Sequence, residues 1–228
     1  MRFSRRLVPA VFQSRPNRFL CIVLLDGVET LCFVPNPGRM NELLYRGAQV
    51  YLMPVQSDTR KTHYTLILVD HLGTLVSVDS SVPNKLVGEA VGRGIIEPFR
   101  KFRVKKAEYT FGESRLDFLL ESDSGRLLLE VKSCTLIRDG VALFPDAPTK
   151  RGSRHLRTLT RGLTQGRSAV FFLIQRPDAN RFMPNMETDP DFAANLKEAN
   201  GEGVEVYAYS SRVDFDGVFL GSRVPIDL

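Results

Sequence analysis

The amino-acid sequence predicts an α+β fold, in which a small antiparallel β-barrel precedes a mixed sheet flanked by helices. Several short apolar, β-branched runs fall within the first 80 residues, and the first two are separated by Asp26-Gly27, a dipeptide typical of tight hairpins. After Pro83 the hydrophobic period changes, and helical segments alternate with strands. These observations predict two domains, over residues 1–82 and 83–228.

Short strands and turn residues dominate the first predicted domain. The run Pro35-Asn36-Pro37-Gly38-Arg39-Met40 indicates a tight irregular turn, and a short helix is predicted over 40–44. Phe12, Phe19 and Phe33 are interpreted as core residues, and the alternative is that their rings stack on the bases of a single strand. The five predicted strands are 19–25, 28–34, 48–54, 63–71 and 74–78.

The second predicted domain has the order α-β-β-β-α-β-α-β. Its first helix spans 85–93 with Asn84 as N-cap, and its last helix begins at Asp189-Pro190 and ends near residue 200. A middle helix over 149–166 places Leu156, Leu159 and Leu163 on one face. The predicted strands are 104–110, 115–121, 126–133, 168–175 and 203–209.

Composition excludes several classes of protein. The longest apolar run, Phe19 to Leu25, is far shorter than the roughly 20 residues that cross a bilayer. No secretory signal is recognisable, so we expect a cytoplasmic protein with no membrane partner. Three widely spaced cysteines with no CxxC motif exclude a disulfide framework and a CxxC-type zinc site.

Positive charge is concentrated at the start of the chain. The net charge is +5. The first 66 residues contain nine lysines and arginines against four acids, so they carry the whole excess. A basic module on a nearly neutral body suits a polyanion such as nucleic acid, although a solvated basic surface is an equal alternative.

The hairpin predicted over 115–133 carries the most informative pattern. One face is wholly apolar and must be buried, because a one-residue slip would place acids in the core. That face comprises Leu116, Phe118, Leu120, Leu127, Leu129 and Val131. The register that follows pairs Glu121 with Arg126, Leu119 with Leu128, Asp117 with Glu130, and Arg115 with Lys132.

Two carboxylates, Asp117 and Glu130, are thus expected about 5 Å apart on the second face. Like charges in this position repel unless a divalent cation neutralises them, and Mg²⁺ or Mn²⁺ fits two carboxylates and waters. Lys132, two residues beyond Glu130, is placed to orient or deprotonate a water or to stabilise developing charge. The alternative is an ordinary polar sheet face, with two acids balanced by Arg115 and Lys132.

The chain resembles the sugar fermentation stimulation protein A (SfsA) family over essentially its full length. Several long motifs in order carry this resemblance, and any one of them alone would be weak. Besides the turn at residues 35–40, they are Pro83-Asn84-Lys85-Leu86-Val87, Ser114-Arg115-Leu116-Asp117-Phe118, Glu130-Val131-Lys132-Ser133, Phe144-Pro145-Asp146-Ala147-Pro148-Thr149, Arg151-Gly152 and His155-Leu156.

The resemblance implies an N-terminal OB-like barrel followed by a PD-(D/E)xK nuclease-like domain. It implies DNA binding without strong sequence preference, and a link to sugar (maltose) metabolism genes. The nuclease pattern falls on Asp117, Glu130 and Lys132 as catalytic residues, with Asp117 and Glu130 as metal ligands. Glu89 is the expected third metal ligand, and Glu108 is a second candidate whose alternative is a cross-strand partner for a basic residue.

Further basic residues are candidates for nucleic-acid contact. The helix over 149–166 presents Arg151, Arg154, Thr158 and Arg161 opposite its leucine face. A solvated helix face is the alternative. His155 is a candidate for the same site or a structural histidine, and Asp146 is a turn residue or a metal ligand. The predicted nucleic-acid-binding residues are Arg39, Arg115, Arg151, Arg154 and His155.

Three functional hypotheses follow. The first is a magnesium-dependent nuclease that binds DNA, including single-stranded DNA. The second is a non-catalytic DNA-binding regulator, and the absence of a helix-turn-helix pattern weakens a sequence-specific reader. The third is an RNA-processing or repair endonuclease. Whether the chain acts as a monomer or a homodimer stays open.

Overall fold

The structure is a computed structural model that describes residues 1–56 and 59–228. Strands β1 to β5 close into a barrel, because β3 pairs with β5 as well as with β2, and β6 extends the sheet beyond β5. This confirms the predicted OB-like barrel. The six strands are β1 (Val8–Asn17), β2 (Leu20–Leu25), β3 (Val28–Phe33), β4 (Gln49–Pro54), β5 (Tyr64–His71) and β6 (Thr74–Ser77).

The barrel differs from the sequence prediction in two places. The longest of its strands, β1, was not predicted, because Pro16 and several polar residues interrupt its apolar alternation. Residues 40–44 form turns rather than the predicted short helix. Met40 there adopts a positive φ of 48°, a conformation that a right-handed helix does not contain.

A mixed sheet forms the second half of the molecule, in the order β15-β14-β12-β9-β8-β7. Its elements are α1 (Val82–Gly92), β7 (Arg103–Phe111), β8 (Ser114–Ser122), β9 (Gly125–Cys134), α2 (Lys150–Gly162), β12 (Arg167–Ile174), α3 (Pro190–Gly201), β14 (Glu205–Asp214) and β15 (Gly217–Arg223). The central strands β9, β12 and β14 are parallel to one another. This confirms the predicted mixed sheet, although β15 was missed.

A small second sheet was also missed. It contains β10 (Ile137–Arg138), β11 (Val141–Phe144) and β13 (Arg181–Pro184). Strands this short carry little alternation for a sequence pattern to reveal. The predicted helix to residue 166 ends at Gly162 and continues as a 3₁₀ turn over Leu163–Gln165.

Helix α1 begins earlier than predicted. Its N-cap is Ser81, and Pro83 lies in the first turn, where the missing N–H costs nothing. Asn84 is therefore inside the helix rather than at its cap, which frees its side chain for another contact. For α3 the predicted cap is correct, since the Asp189 carboxylate accepts the Phe192 N–H at 2.9 Å.

Apolar clusters cover both faces of the mixed sheet. Leu86, Val87 and Phe99 pack on one face, and Leu156, Leu159 and Phe192 on the other. A third cluster fills the barrel, where Phe12 is 2% exposed as predicted. None of the helices described is long and apolar enough to cross a membrane.

The barrel and the mixed sheet are joined by specific hydrogen bonds. Ser77, at the end of β6, donates its backbone N–H to the Gln175 carbonyl and its hydroxyl to the Gln175 side chain, both at 2.9 Å. Met1 donates its amino group to the Val218 carbonyl at 2.9 Å. These contacts attach the end of β6 and the start of the chain to the mixed sheet.

Candidate active site

The β8–β9 hairpin is regular near its turn and opens toward its other end. Its ladder pairs Phe118 with Leu129 and continues to Ser122 and Gly125, which confirms the predicted register over this stretch. The predicted pairs Asp117–Glu130 and Arg115–Lys132 are not part of the ladder. Beyond Leu129, the described ladder pairs of β9 are with β12 alone.

The physical cause of the opening lies in Asp117 itself. Its Oδ2 accepts the backbone N–H of Val131 at 2.7 Å, so a side chain takes over a ladder bond. On the opposite side of β8, Glu108 has a φ of 51°, and the β7–β8 ladder omits the pair that would join it to Asp117. Leu116 consequently packs with the α2-side cluster rather than with Phe118, contrary to the predicted apolar face.

The half-buried Asp117 carboxylate accepts hydrogen bonds from two donors. Its Oδ1 accepts from Asn84 Nδ2 at 2.5 Å, in addition to the Val131 bond. Burial, and then the charge of Glu130, raise the pKa of Asp117 to about 6, although both hydrogen bonds and Lys132 oppose this. The influence of Glu130 shows that the two acids share one electrostatic environment.

Glu130 is 3% exposed and makes its contacts through one oxygen. Oε1 accepts from Lys132 Nζ at 2.6 Å and lies 2.5 Å from His155 Nδ1. Burial by itself raises the pKa of Glu130, but Lys132 and His155 outweigh it and the net shift is downward. Oε2 is buried and has no hydrogen-bond partner among the described residues, which is costly for a carboxylate.

His155 lies behind Glu130 and is 2% exposed. Arg151 donates its Nε–H to His155 Nε2 at 3.4 Å. Since that nitrogen accepts, we assign the ring proton to Nδ1, where it is donated to Glu130. The prediction that His155 contacts nucleic acid is wrong, because the ring is enclosed and orients a carboxylate instead.

A cavity of about 430 Å³ lies in front of these side chains. Asp117, Glu130 and Lys132 line one wall, and Arg151 lines another. The barrel contributes the opposite wall through the turn at residues 35–40. The site therefore lies between the barrel and the mixed sheet, with its acids deep in the wall.

Asp146 attaches this turn to the mixed-sheet half of the molecule. Its Oδ2 accepts the backbone N–H groups of Arg39 at 2.9 Å and Met40 at 3.4 Å. A Cβ at Gly38 would come within 2.7 Å of the same oxygen, so only glycine permits this approach. Asp146 thus bridges the two halves of the molecule, a role that neither the turn-residue nor the metal-ligand interpretation predicted.

Arg15 holds the same turn from the barrel side and was missed by the sequence reasoning. Its guanidinium donates to the carbonyls of Asn36, Gly38, Arg39 and Arg18 at 2.6 to 2.8 Å. No pattern distinguishes it from the other N-terminal arginines. Asn84 was also missed as a site residue, although Pro83 before it indicates a position within the first helical turn.

Two predicted acids lie elsewhere. Glu89 is 54% exposed and lies 3.9 Å from the amino group of Met1, and it does not line the cavity. The prediction of Glu89 as third ligand is therefore wrong, since α1 directs Asn84 rather than Glu89 toward Asp117. Glu108 lies 3.6 Å from exposed Arg115, as the cross-strand alternative predicted.

The exposed face of α2 is wholly basic. Arg154 is exposed, as is Arg39 on the turn at residues 35–40. Thr158, expected on this face, is buried, and its hydroxyl lies 2.9 Å from that of Ser114. The exposed residues of α2 are Lys150, Arg151, Arg154, Arg157 and Arg161.

The arrangement fits a divalent cation. Asp117 and Glu130 both line the cavity, and the unpartnered oxygen of Glu130 would be neutralised by a positive ion. Within residues 1–56 and 59–228, no group of three or more His, Cys, Asp or Glu side chains is arranged as a ready metal site. Remaining ligands would therefore come from backbone, water or substrate.

The molecule is a two-part α+β protein, in which a closed OB-like barrel is joined to a mixed sheet. Asp117, Glu130 and Lys132 line the cavity between these two parts. Family models match at two places: the SfsA N-terminal OB domain over residues 14–78 and the sugar fermentation stimulation protein RE domain over residues 81–217. The chain belongs to the SfsA family.

Relatives cover nearly the whole chain. A sugar fermentation stimulation protein homolog of Moorella thermoacetica is 47% identical over 97% of both chains. One of Desulforamulus reducens is 45% identical over 97% of this chain and 93% of its own. The solved structure of Pyrococcus furiosus SfsA in complex with Ca²⁺ is 30% identical, with a TM-score of 0.92, over 100% of this chain and 98% of that one.

Proposed function

We propose that the chain is a divalent-metal-dependent phosphodiester hydrolase that acts on DNA. The observation that carries this proposal is the pair of acids in the cavity wall, buried Glu130 and half-buried Asp117, with Lys132 beside them and one oxygen of Glu130 unpartnered. An acid on one strand and Glu-x-Lys on the next is an arrangement suited to phosphodiester hydrolysis. The Pyrococcus furiosus relative was solved in complex with Ca²⁺, which supports the binding of a divalent ion by this chain.

Asp117 and Glu130 would hold Mg²⁺ or Mn²⁺, which supplies Lewis-acid stabilisation to the scissile phosphate. Burial raises the pKa of Asp117 to about 6, so the fraction of Asp117 that is ionised and able to bind a cation rises with pH through this range. Lys132 lines the cavity and is placed to donate to a phosphate oxygen or to orient a water for attack.

The remaining polar residues have supporting roles in this proposal. His155 is a positioning residue, because it donates to Glu130 and lies behind it. Arg151, in the cavity wall, and Arg39 and Arg154, exposed on the turn and on α2, are placed to contact phosphates. Arg115 is the second residue of β8, lies two residues before Asp117 and is 61% exposed, so it can add to these phosphate contacts.

The test is cleavage of plasmid and single-stranded DNA with Mg²⁺ or Mn²⁺ by wild type, Asp117→Ala and Asp123→Ala. Asp123 is the matched control, because it is an exposed acid in the turn of the same hairpin. Wild type and Asp123→Ala should cut DNA, whereas Asp117→Ala should not. Identical behaviour of Asp117→Ala and wild type would overturn the proposed reaction.

A second candidate is a non-catalytic DNA-binding regulator. It is favoured by the Asp117 carboxylate, in which each oxygen already accepts a protein hydrogen bond, and by the incomplete ligand set in the described residues. It predicts salt-sensitive DNA binding that Asp117→Ala and Lys132→Ala leave unchanged, without cleavage of any DNA.

A further inference from the structure

Two phenylalanines that the sequence indicated as core lie at the barrel surface. Phe19 is 43% exposed, and Phe33, the last residue of β3, is half-buried. Their ring centroids are 6.5 Å apart and their planes differ by 16°, so both rings present flat faces in nearly the same direction. Neither ring belongs to the cluster that fills the barrel.

An arginine lies over each ring. The guanidinium of Arg18 is 5.3 Å from the centre of Phe19, and that of Arg60 is 5.8 Å from the centre of Phe33. Both arginines are exposed. We call these four residues the aromatic platform. Stacking rings beside cationic side chains are the means by which proteins hold unpaired bases and their phosphates.

The aromatic platform is attached through Arg15 to the turn that lines the cavity. Phe33 precedes Asn36 by three residues, and Asn36 lines the cavity. Arg15 donates to the carbonyl of Arg18 and to that of Asn36, each at 2.6 Å, which ties the platform to the turn. A strand bound on the platform would therefore be directed along this turn toward Asp117 and Glu130.

We propose that the aromatic platform binds the bases of single-stranded nucleic acid and delivers that strand to the cavity. This rests on the proposed function. A duplex keeps its bases stacked inside the helix, so its π-faces cannot reach the rings, whereas a single strand offers them freely. A second copy of this chain is disfavoured as occupant, because pairing two platforms would bring four arginines together.

The test measures binding of a labelled 20-nucleotide oligothymidylate to the full chain in a metal chelator. An abasic oligomer and a duplex of equal length are the comparison ligands. Wild type should bind oligothymidylate more tightly than either. The double variant Phe19→Leu/Phe33→Leu, which keeps apolar bulk and the fold, should bind oligothymidylate on the order of tenfold or more weakly. Its affinity for the abasic oligomer should not change.

Matched variants separate stacking from charge and from loss of folding. Phe19→Trp should retain binding, since it keeps an aromatic face. Leu72→Ala, at an exposed apolar residue in the β5–β6 turn of the same barrel, should bind as wild type. Arg18→Gln with Arg60→Gln should reduce the slope of log Kobs against log salt by about 0.7 for each phosphate that the protein no longer neutralises.

Several results would overturn the proposal. Unchanged oligothymidylate binding by Phe19→Leu/Phe33→Leu is one, and equal wild-type affinity for the abasic oligomer is another. Conversion of a dimer to a monomer by the same double variant, with binding intact, would assign the surface to self-association instead. Cleavage of DNA by wild type in Mn²⁺ is measured in a separate assay. The proposal about the aromatic platform and the proposal of a hydrolase can therefore be contradicted independently of each other.

Discussion

The two ends of the β8–β9 hairpin satisfy their backbone in different ways. Near the turn the ladder is regular, and Glu121 is exposed beside Lys105 and Arg126. At the open end, the Asp117 carboxylate replaces a backbone partner, Glu130 is buried and Asp117 is half-buried. A polar side chain on an intact ladder can turn to solvent, whereas one that substitutes for a ladder bond is held against the sheet.

This difference has an energetic consequence. At the open end, burial and the charge of Glu130 raise the pKa of Asp117, and Glu130 Oε2 is left without a partner among the described residues. Folding alone would not favour such an arrangement. Perturbed carboxyl groups in a cavity are typical of functional sites. The four predictions that follow test whether the open end behaves as a site and the turn end as scaffold.

Lys132→Met should give the largest effect. Cleavage should fall by about 10² to 10³, the range for removing one contact to developing charge. Affinity for Ca²⁺ should stay equal or rise, because Lys132 Nζ occupies Glu130 Oε1 at 2.6 Å and competes with a cation. Single-turnover kinetics measure the cleavage rate, and titration calorimetry measures the Ca²⁺ affinity. A parallel loss of cleavage and of Ca²⁺ affinity would contradict the role of Lys132 in stabilising developing charge.

The pKa of Asp117 predicts a pH-dependent stability. In the folded chain the pKa rises from 3.8 to about 6, so the folded state retains the proton longer than the unfolded state. Without metal, this group should lower the free energy of unfolding as pH rises from about 4 to about 6, by at most about 3 kcal/mol. Denaturation of wild type and Asp117→Asn across this range isolates the effect, and parallel curves would exclude it.

His155→Phe should weaken Ca²⁺ binding by about 10- to 100-fold, as is usual when a partner that orients a ligand is removed. The pH midpoint of binding should also rise, because His155 helps to hold the pKa of Glu130 down. His155→Gln keeps a donor and should restore part of the affinity. Equal Ca²⁺ affinities of wild type, His155→Phe and His155→Gln would show that His155 contributes only to packing.

Glu121→Gln should give the smallest effect. Its ion pairs with Lys105 and Arg126 are solvent-exposed, and such pairs contribute little. We expect an unchanged thermal midpoint and unchanged cleavage. A measurable loss of thermal stability or of cleavage would contradict the interpretation that the turn end of the hairpin is only scaffold.

Sequence patterns predicted this hairpin well only where burial enforces them. The alternation of leucines on one face specified the register from Phe118 to Ser122, because a slip would bury charges. The same rule failed at Asp117, since it assumes that each backbone bond has a backbone partner. Strand β1 escaped prediction for a related reason, because its polar residues and Pro16 obscure the pattern.

The chemistry of the site residues followed from the sequence, but their neighbours did not. Asp117, Glu130 and Lys132 were recognisable from their spacing on two strands. The contacts of Asn84 and His155 with these acids were not, since they come from helices distant in the chain. Spacing within one hairpin is a local property, whereas the packing of helices on it is not.

By itself, the sequence determined the succession of a barrel and a mixed sheet, and the hairpin that carries the acids, because hydrophobic periodicity and turn residues act over short range. Only the tertiary structure decided which side chains surround those acids and that the turn at residues 35–40 forms a wall of the cavity. Those outcomes depend on contacts such as Asp146 with Arg39, more than 100 residues apart, which no local pattern encodes.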